Sequence, residues 1–561
     1  MRILASPPSV RVGAVAVVTA LLGVGAVGAQ AAPAPTAAPT GAPQVQAPVP
    51  DIAWSTCVGE GLEAFDCASV QVPTDYDEPR GDTTTIALTR LQATDPDGRV
   101  GSLFLNFGGP GIAGVGLMHT LGETFLDPKV HAKFDVIGFD PRGVGLSNPV
   151  TCFPNEAAEK ANFADTPAFP TTRREVPGYL VDYGTAMVGC KLLSGDRFEH
   201  ASSANVARDM DLLRQAVGDE RLNYLGYSYG SIIGATYGKL FPERVRALAI
   251  DGTWDPPRWS GGQGSLGVRL GTGPAAEEAF EQFLALCDEA GPDACPLAAL
   301  GDPAQVAEDV FRQLQEEPAE FPGPDGTTVE FGYDDLVAAT FSSLYATSGW
   351  TDLAESFAQL DAMDDPAAAQ RDGSDRKRAG TSLGDLLRRL GVIEDYATGI
   401  GPQTASLCVD GKHPLNAWDY PRQADKADEV TPHFGRYRAW VGIQCEFVQF
   451  RDDDAYKGPW QQEIDSPVLV IGTRYDPATP YAQTQPYADR FPDGRVLTVE
   501  GYGHTTLGVS TCADAAIARY LLDLEATDGA TCGQDVPPFQ ATDPGSKEAG
   551  RLMLAPGGSR A

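Results

Sequence analysis

Three residues of this chain, Ser228, Asp476 and His504, have the types and surroundings that nucleophilic catalysis needs. A serine hydroxyl is a weak nucleophile unless a nearby histidine takes its proton. An acid must then hold the imidazole in the correct tautomer and stabilise the positive charge that forms on it. We therefore predict that these three side chains meet in one site and carry out acyl transfer through a covalent serine intermediate.

The serine lies where a predicted strand turns into a predicted helix. Leu222–Leu225 is a short apolar run, Gly226–Gly230 has the pattern Gly-x-Ser-x-Gly, and apolar residues follow at helical spacing. The glycines lack a Cβ, so the turn can tighten and expose the Ser228 hydroxyl at its tip. A Gly/Ser pattern alone occurs by chance in a chain with 62 glycines. The strand before it and the helix after it make this one specific for a nucleophile elbow.

Asp476 and His504 each follow a predicted strand late in the chain, Val468–Ile471 and Val496–Val499 respectively. The resulting order of serine, acid and histidine is the order expected of an α/β-hydrolase. Asp251 is a rival acid, because it also ends a predicted strand. We favour Asp476 because its strand immediately precedes the histidine strand.

Acyl transfer also needs backbone N–H groups that stabilise the oxyanion of the tetrahedral intermediate. The amide of Tyr229, directly after the serine, is one predicted donor. Gly108 or Gly109 is the predicted second donor, because the turn Gly-Gly-Pro-Gly follows the apolar strand Ser102–Phe107. A plain tight turn is the alternative explanation of these glycines.

No metal and no cofactor is expected from the sequence. The ten cysteines include no Cys-x-x-Cys pair, and the six histidines do not cluster near them. Arg142–Gly145 contains two glycines in the manner of a phosphate loop, but no Lys-Ser/Thr follows and the full Gly-x-Gly-x-x-Gly pattern is missing. Nucleotide binding is therefore not predicted.

Short apolar strands alternate with amphipathic helices around these residues, which predicts an α/β fold with a mainly parallel sheet. Residues 51–255 and 463–535 form the predicted α/β-hydrolase core. Residues 256–462 are mostly helical in pattern, and we predict that they form a cap inserted between two late strands of the sheet. Within this cap, the charged stretch Asp364–Gly380 is predicted to be a solvated loop.

Both ends of the chain differ in composition from its middle. Residues 1–31 contain arginines, an apolar run and a final Ala-Gln-Ala, which predicts a signal peptide. Residues 32–50 are rich in Ala and Pro and are predicted to be a linker or propeptide, and residues 536–561 a C-terminal tail. The formal net charge of −34 makes nucleic acid and anionic membrane surfaces poor partners. We expect a secreted, extracellular protein without stable membrane association.

Ten cysteines in an exported chain predict disulfides. We expect neighbours in the sequence to pair, because short separations favour closure and each pair lies within one predicted segment. The expected pairs are Cys57–Cys67, Cys152–Cys190, Cys287–Cys295, Cys408–Cys445 and Cys512–Cys532.

Four motifs, at Asn106–Gly111, Gly138–Ser147, Gly226–Gly230 and Tyr502–His504, together resemble those of a known family. They are similar to the secreted tripeptidyl aminopeptidases of actinobacteria, in the prolyl-aminopeptidase-like branch of the α/β-hydrolases. The resemblance spans roughly residues 54–532. It implies a serine exopeptidase that releases short peptides, mainly tripeptides, from free N-termini of peptide substrates.

Other functions share the same catalytic residues. Related prolyl aminopeptidases carry a histidine where Phe107 stands, which disfavours removal of single N-terminal prolines. A secreted esterase or lipase would use the same triad with an apolar acyl pocket. A catalytically silent binding protein would normally have lost a triad member, whereas all three candidates are present.

An exopeptidase must close one end of its cleft, and the predicted cap is the segment placed to do so. A desolvated N-terminal ammonium needs carboxylates or carbonyls aimed at it. Candidates are the cap acids Asp352 and Glu355 on the predicted helix Trp350–Met363. A solvated helix face is the alternative explanation for either acid.

Overall fold

A sheet of ten strands forms the centre of the protein, in the order β1-β2-β3-β5-β4-β6-β7-β10-β11-β12. The structure is a computed structural model that describes residues 47–322, 328–364, 399–413, 416–448 and 452–540. The strands are β1 (Ser55–Thr56), β2 (Phe65–Pro73), β3 (Thr83–Leu91), β4 (Gly101–Asn106), β5 (Phe134–Phe139), β6 (Leu222–Tyr227), β7 (Val245–Asp251), β8 (Ala319–Pro322), β9 (Thr328–Phe331), β10 (Val468–Tyr475), β11 (Gly494–Tyr502) and β12 (Ala530–Gly533).

The sheet is parallel from β5 to β12, and antiparallel pairs at one edge join β1, β2, β3 and β5. Every residue of β4 and of β6 is buried. Central parallel strands are apolar along their whole length because helices cover both faces of the sheet. The predicted α/β-hydrolase architecture, with a mainly parallel sheet, is confirmed.

Helices flank this sheet and fill the segment between β7 and β10. They are α1 (Gly114–Leu121), α2 (Pro128–Lys133), α3 (Glu156–Phe163), α4 (Val176–Glu199), α5 (Ser203–Ala216), α6 (Gly230–Leu240), α7 (Pro256–Ser260), α8 (Leu266–Leu270), α9 (Thr272–Ala290), α10 (Pro303–Glu316), α11 (Tyr333–Ser343), α12 (Trp350–Asp364), α13 (Ile400–Asp410), α14 (Tyr420–Asp428), α15 (Phe434–Ala439), α16 (Thr484–Ala488) and α17 (Thr511–Asp523). No helix in the described ranges is both long and apolar enough to cross a membrane.

The inserted segment lies between β7 and β10, which pair directly in the sheet. It has its own apolar core, which is rich in aromatic rings and also receives Phe169, Tyr179 and Leu180 from the chain before the elbow. The segment is not wholly helical, because β8 and β9 form a short hairpin. Four residues per strand are too few for a clear alternating pattern in the sequence.

Some sequence predictions concern residues beyond the described ranges. The predicted signal peptide and most of the predicted linker precede residue 47. Of the stretch predicted as a solvated loop, Asp364 ends α12 and residues 365–380 lie outside the described residues. Most of the predicted C-terminal tail, residues 541–561, also lies outside them.

All ten cysteines form disulfides, and the five pairs are those predicted from sequence proximity. Each bridge closes a loop of 38 residues or fewer. Covalent closure of such loops restricts the unfolded chain and so favours the folded state.

Arg142 forms a fully buried ion pair that joins the loop after β5 to helix α5. Its guanidinium donates two hydrogen bonds to the carboxylate of Asp209, at 2.8 and 2.6 Å. It also donates to the backbone carbonyls of Pro73, Thr74 and His200. Every polar edge of the guanidinium is therefore matched, which is what a buried charge requires.

Replacing Arg142 with alanine should destabilise the protein by about 3–5 kcal/mol, because the buried carboxylate of Asp209 would lose its counter-charge and keep only the hydroxyl of Tyr76. The free energy of unfolding in urea measures this loss. Arg422→Ala is the matched control, since Arg422 and Asp419 form an exposed pair and its loss should cost no more than about 1 kcal/mol. Equal effects of the two substitutions would contradict the assigned role of the buried pair.

Candidate active site

Ser228 occupies a strained turn between β6 and α6. Its φ angle is 55°, in the left-handed region that non-glycine residues avoid. Its backbone N–H donates to the carbonyl of Asp251 at 2.9 Å, which ties the turn to the neighbouring strand. A Cβ on Gly226 would lie 2.4 Å from the ring of Tyr224, so only glycine fits there. The sequence pattern thus folds into the predicted strand–turn–helix.

The glycine turn after β4 passes directly against this serine. Gly108 has a φ of 88°, and a Cβ on it would lie 2.7 Å from the Cβ of Ser228 and 3.1 Å from the backbone N of Tyr229. The N–H of Gly108 donates to Oδ1 of Asn106 at 3.0 Å. For the N–H of Gly109, no hydrogen-bond partner lies among the described residues. Of the two predicted glycine donors, Gly109 is therefore the available one.

His504 and Asp476 form a buried pair at the ends of β11 and β10. Nδ1 of His504 lies 2.9 Å from Oδ2 and 3.0 Å from Oδ1 of Asp476. The same carboxylate accepts hydrogen bonds from the N–H groups of Ala478 and Thr479, both at 2.8 Å. The turn after β10 therefore fixes the carboxylate, and the carboxylate in turn fixes the imidazole.

Asp251, the rival acid, takes no part in this pair. It is completely buried, and its Oδ2 accepts hydrogen bonds from the N–H and the hydroxyl of Thr506 at 2.8 and 2.7 Å. Its Oδ1 is buried with no hydrogen-bond partner among the described residues. Burial raises the pKa of this carboxyl to about 6. The geometry therefore favours Asp476 as the acid that orients His504.

Ser228, His504 and Gly109 line one cavity between the sheet and the inserted segment. Much of its wall is aromatic, with the rings of Tyr179, Tyr183, Trp254, Trp259, Tyr345 and Trp440. Aromatic walls bury apolar surface while their N–H and O–H groups keep some polarity. The serine is therefore enclosed in a wall that suits the side chains of a peptide or an apolar acyl group.

The cap acids singled out in the sequence lie away from this cavity. Asp352 and Glu355 are half-buried on α12, and neither lines the cavity. Among the described lining residues there is no carboxylate. The acidic composition of the segment did not indicate which helix faces the serine.

Tyr345 contacts the catalytic candidates although nothing in the sequence distinguishes it. Its ring lies 4.9 Å from the ring of His504, and its carbonyl accepts the backbone N–H of His504 at 2.8 Å. Burial raises the pKa of its hydroxyl. The inserted segment thus contacts both the backbone and the ring of the histidine.

Asp410 is a second residue of the inserted segment that sequence reasoning missed. Its carboxylate accepts hydrogen bonds from the hydroxyl of Tyr229 at 3.2 Å, from the indole of Trp259 at 3.1 Å and from the N–H of Ser203 at 2.6 Å. Burial raises its pKa to about 6. Through these contacts the end of α13 fixes the side chain of the residue next to the nucleophile.

Two family models match the chain: an α/β-hydrolase fold over residues 103–274 and a TAP-like protein over residues 431–532. Serine protease Hip1 of Mycobacterium tuberculosis is 32% identical over 480 residues, which cover 81% of this chain and 85% of that protein. Tripeptidyl aminopeptidase of Streptomyces lividans is 30% identical over 484 residues, 84% of each chain.

The chain is also similar to proteins whose names indicate other hydrolase activities. Carboxylesterase B of Mycobacterium tuberculosis is 30% identical over 506 residues, 86% of this chain and 89% of that protein. Among solved structures, proline iminopeptidase of Mycobacterium smegmatis is 18% identical and covers 81% of this chain and 97% of its own. Its TM-score of 0.31 is too low to support a conclusion.

Asp251→Asn should change how stability depends on pH. With its pKa raised from 3.8 to about 6, Asp251 contributes stability that is fully present below pH 3.8 and lost as the pH rises through about 6. The loss attributable to this group is on the order of 3 kcal/mol. An asparagine stays neutral and can still accept from Thr506, so the variant should be more stable than wild type at pH 7 and nearly equal at pH 4.

Urea unfolding at several pH values measures this difference. Asp453→Asn is the control, because Asp453 is exposed and its replacement should leave the wild-type profile unchanged. If Asp251→Asn followed the wild-type profile as well, the buried carboxyl would not titrate as described.

Proposed function

Because the chain belongs to the tripeptidyl aminopeptidase family of α/β-hydrolases, we propose that it is a secreted serine exopeptidase that releases short peptides, mainly tripeptides, from free N-termini. The protein is a serine hydrolase, as its relatives are. The observation that carries the proposal is the strained Ser228 turn, which lines the same cavity as His504, the residue that Asp476 holds.

In the proposed mechanism the hydroxyl oxygen of Ser228 attacks the carbonyl carbon of the scissile bond. Nε2 of His504 takes the serine proton and later gives it to the leaving amine. Asp476 holds the proton on Nδ1 and stabilises the imidazolium. The N–H groups of Tyr229 and Gly109 stabilise the oxyanion. Water then hydrolyses the acyl-enzyme by the same steps in reverse, which releases the short peptide.

Ser228→Ala and His504→Ala should each lower kcat/KM by several orders of magnitude, because the triad acts as a unit. Asp476→Asn should also be severe, whereas Asp251→Asn, the matched change on the neighbouring strand, should be much milder. Hydrolysis of a tripeptide p-nitroanilide measures these effects. A fluorophosphonate probe should label Ser228.

If Asp251→Asn lowered kcat/KM more than Asp476→Asn did, the residue that orients His504 would be Asp251 and not Asp476.

Recognition of a free N-terminus is proposed to depend on the aromatic end of the cavity. The ring of Tyr179 lies 4.8 Å from that of Tyr183 and 5.2 Å from that of Trp440. Gln403 and Gln444 line the same cavity, and each carries an amide oxygen that can accept a hydrogen bond. Ammonium groups bind to aromatic faces and to amide oxygens without a carboxylate. This wall therefore replaces Asp352 and Glu355 as the proposed ammonium site.

N-acetylation of a good tripeptide p-nitroanilide should lower kcat/KM by at least about tenfold, because it removes the charge that the aromatic faces and amide oxygens bind. Tyr179→Ala should reduce the difference in kcat/KM between the free and the acetylated substrate. Equal cleavage of both substrates by the wild-type protein would exclude the aminopeptidase proposal and leave a serine hydrolase of other specificity.

An esterase is the second candidate, because carboxylesterase B is a similar relative and the cavity wall is rich in aromatic rings. Comparing p-nitrophenyl esters with tripeptide p-nitroanilides distinguishes the two. Removal of single N-terminal prolines is a weaker alternative, because Phe107 stands where prolyl aminopeptidases carry histidine. The five disulfides support the proposed extracellular location.

A further inference from the structure

A buried cation that the proposed chemistry does not use forms part of the cavity wall. Arg438 lies on α15 in the inserted segment, and only 8% of it is exposed. It lines the same cavity as Ser228 and His504. A positive charge at this depth next to a substrate cavity needs a physical explanation, because desolvating it is costly.

The protein satisfies the guanidinium of Arg438 only in part. Its Nε donates to the hydroxyl of Thr272 at 3.1 Å, and its central carbon lies 4.4 Å above the ring of Phe341 and 5.3 Å above that of Tyr437. Within the described ranges, no carboxylate lies at ion-pair distance, and neither Nη has a hydrogen-bond partner. The four N–H donors on the two Nη atoms of this buried cation are thus available to a ligand in the cavity.

The other deeply buried arginines show how this fold normally satisfies such a group. Arg142 pairs with a carboxylate and three backbone carbonyls. Arg269 donates to the carbonyls of Arg258, Lys412 and Trp259. Aromatic faces stabilise the charge of Arg438, but they accept no N–H in the plane of the guanidinium. Arg438 is therefore the exception, and it faces the cavity.

A chain of ring contacts connects Arg438 to the reacting centre. The ring of Phe341, under the guanidinium, lies 5.5 Å from that of Tyr345, which lies 4.9 Å from that of His504. Three contacts, one between the guanidinium and Phe341 and two between rings, thus connect the guanidinium to the histidine. Because Arg438 and Ser228 line the same cavity, a peptide bound at Ser228 can place a carboxylate beside the guanidinium.

We propose that Arg438 binds a carboxylate of the peptide substrate, so that the enzyme selects peptides with an acidic side chain or a free C-terminal carboxylate near the scissile bond. A guanidinium offers two parallel N–H donors to a carboxylate, a geometry that lysine does not provide. Carboxylates are the anions that unmodified peptides carry. The inference rests on the proposed peptidase function, and it names the substrate class of the same site.

Binding to the Ser228→Ala protein tests this without hydrolysis. Tetra-alanine amides carry either glutamate or glutamine at the first, second or third position, and a fourth pair compares tetra-alanine as free acid and as amide. In one of these pairs the acid should bind about tenfold more tightly or better, as expected for a charge-assisted hydrogen bond in a buried site. The pair that responds tells whether the carboxylate comes from a side chain or from the chain end.

When Arg438→Gln is added to the Ser228→Ala protein, the affinity ratio of acid to amide peptide in the responding pair should fall close to one. Arg438→Lys in the same protein should keep part of the preference for the acid. Arg436→Gln is the matched control, because Arg436 lies on the same helix but pairs with Asp425 and Asp428. The Arg436→Gln variant should keep the acid-to-amide affinity ratio of the Ser228→Ala protein. Thermal unfolding of each variant shows that the fold is retained.

No preference for the acid in any pair would overturn the inference, whether or not the variants fold. Persistence of the preference in a folded Arg438→Gln protein would overturn it as well, and would leave Arg438 as a structural cation only. Cleavage of neutral tripeptide p-nitroanilides by the wild-type protein in either case would leave the peptidase function intact. Failure of both binding and cleavage would overturn both proposals.

Discussion

The left-handed backbone of Ser228 is the constraint on which the rest of the site depends. A non-glycine residue at a φ of 55° costs about 1–3 kcal/mol, so its surroundings must hold it there. They do so from both sides, because β6 lies between β4 and β7 and the serine N–H is tied to Asp251. The turn at Gly108 can lie against the serine only because it carries no Cβ. The strain and the proposed oxyanion site thus arise from the same close packing.

The inserted segment contributes contacts to the candidate active site as well as covering it. Tyr345 packs against His504, and Asp410 fixes the side chains of Tyr229 and Trp259. Arg438 adds a charge to the same cavity. The sheet thus supplies the reacting groups, and the inserted segment adds supports for them and, together with α4, much of the cavity wall. Specificity in this protein should therefore depend chiefly on residues that lie far in sequence from the nucleophile.

The parts of the structure that depend on local pattern could be predicted from the sequence. The elbow is a strand, a glycine-flanked serine and a helix in one short stretch, and the predicted strand Val468–Ile471 lies within β10. Asp410 could not be found in this way, because its partner Ser203 is 207 residues away. The charge of Asp352 and Glu355 suits an ammonium partner, but charge does not indicate which helix faces a cavity.

The central claim is that a Ser228-centred hydrolase acts from the free N-terminus of a peptide and counts residues from it. Mass spectrometry of a nine-residue peptide during digestion tests this most directly, with the Ser228→Ala protein as the blank. The proposal predicts successive release of tripeptides from the N-terminal end, and cleavage of the N-acetylated peptide that is at least about tenfold slower. Internal fragments from both the free and the acetylated peptide would contradict it.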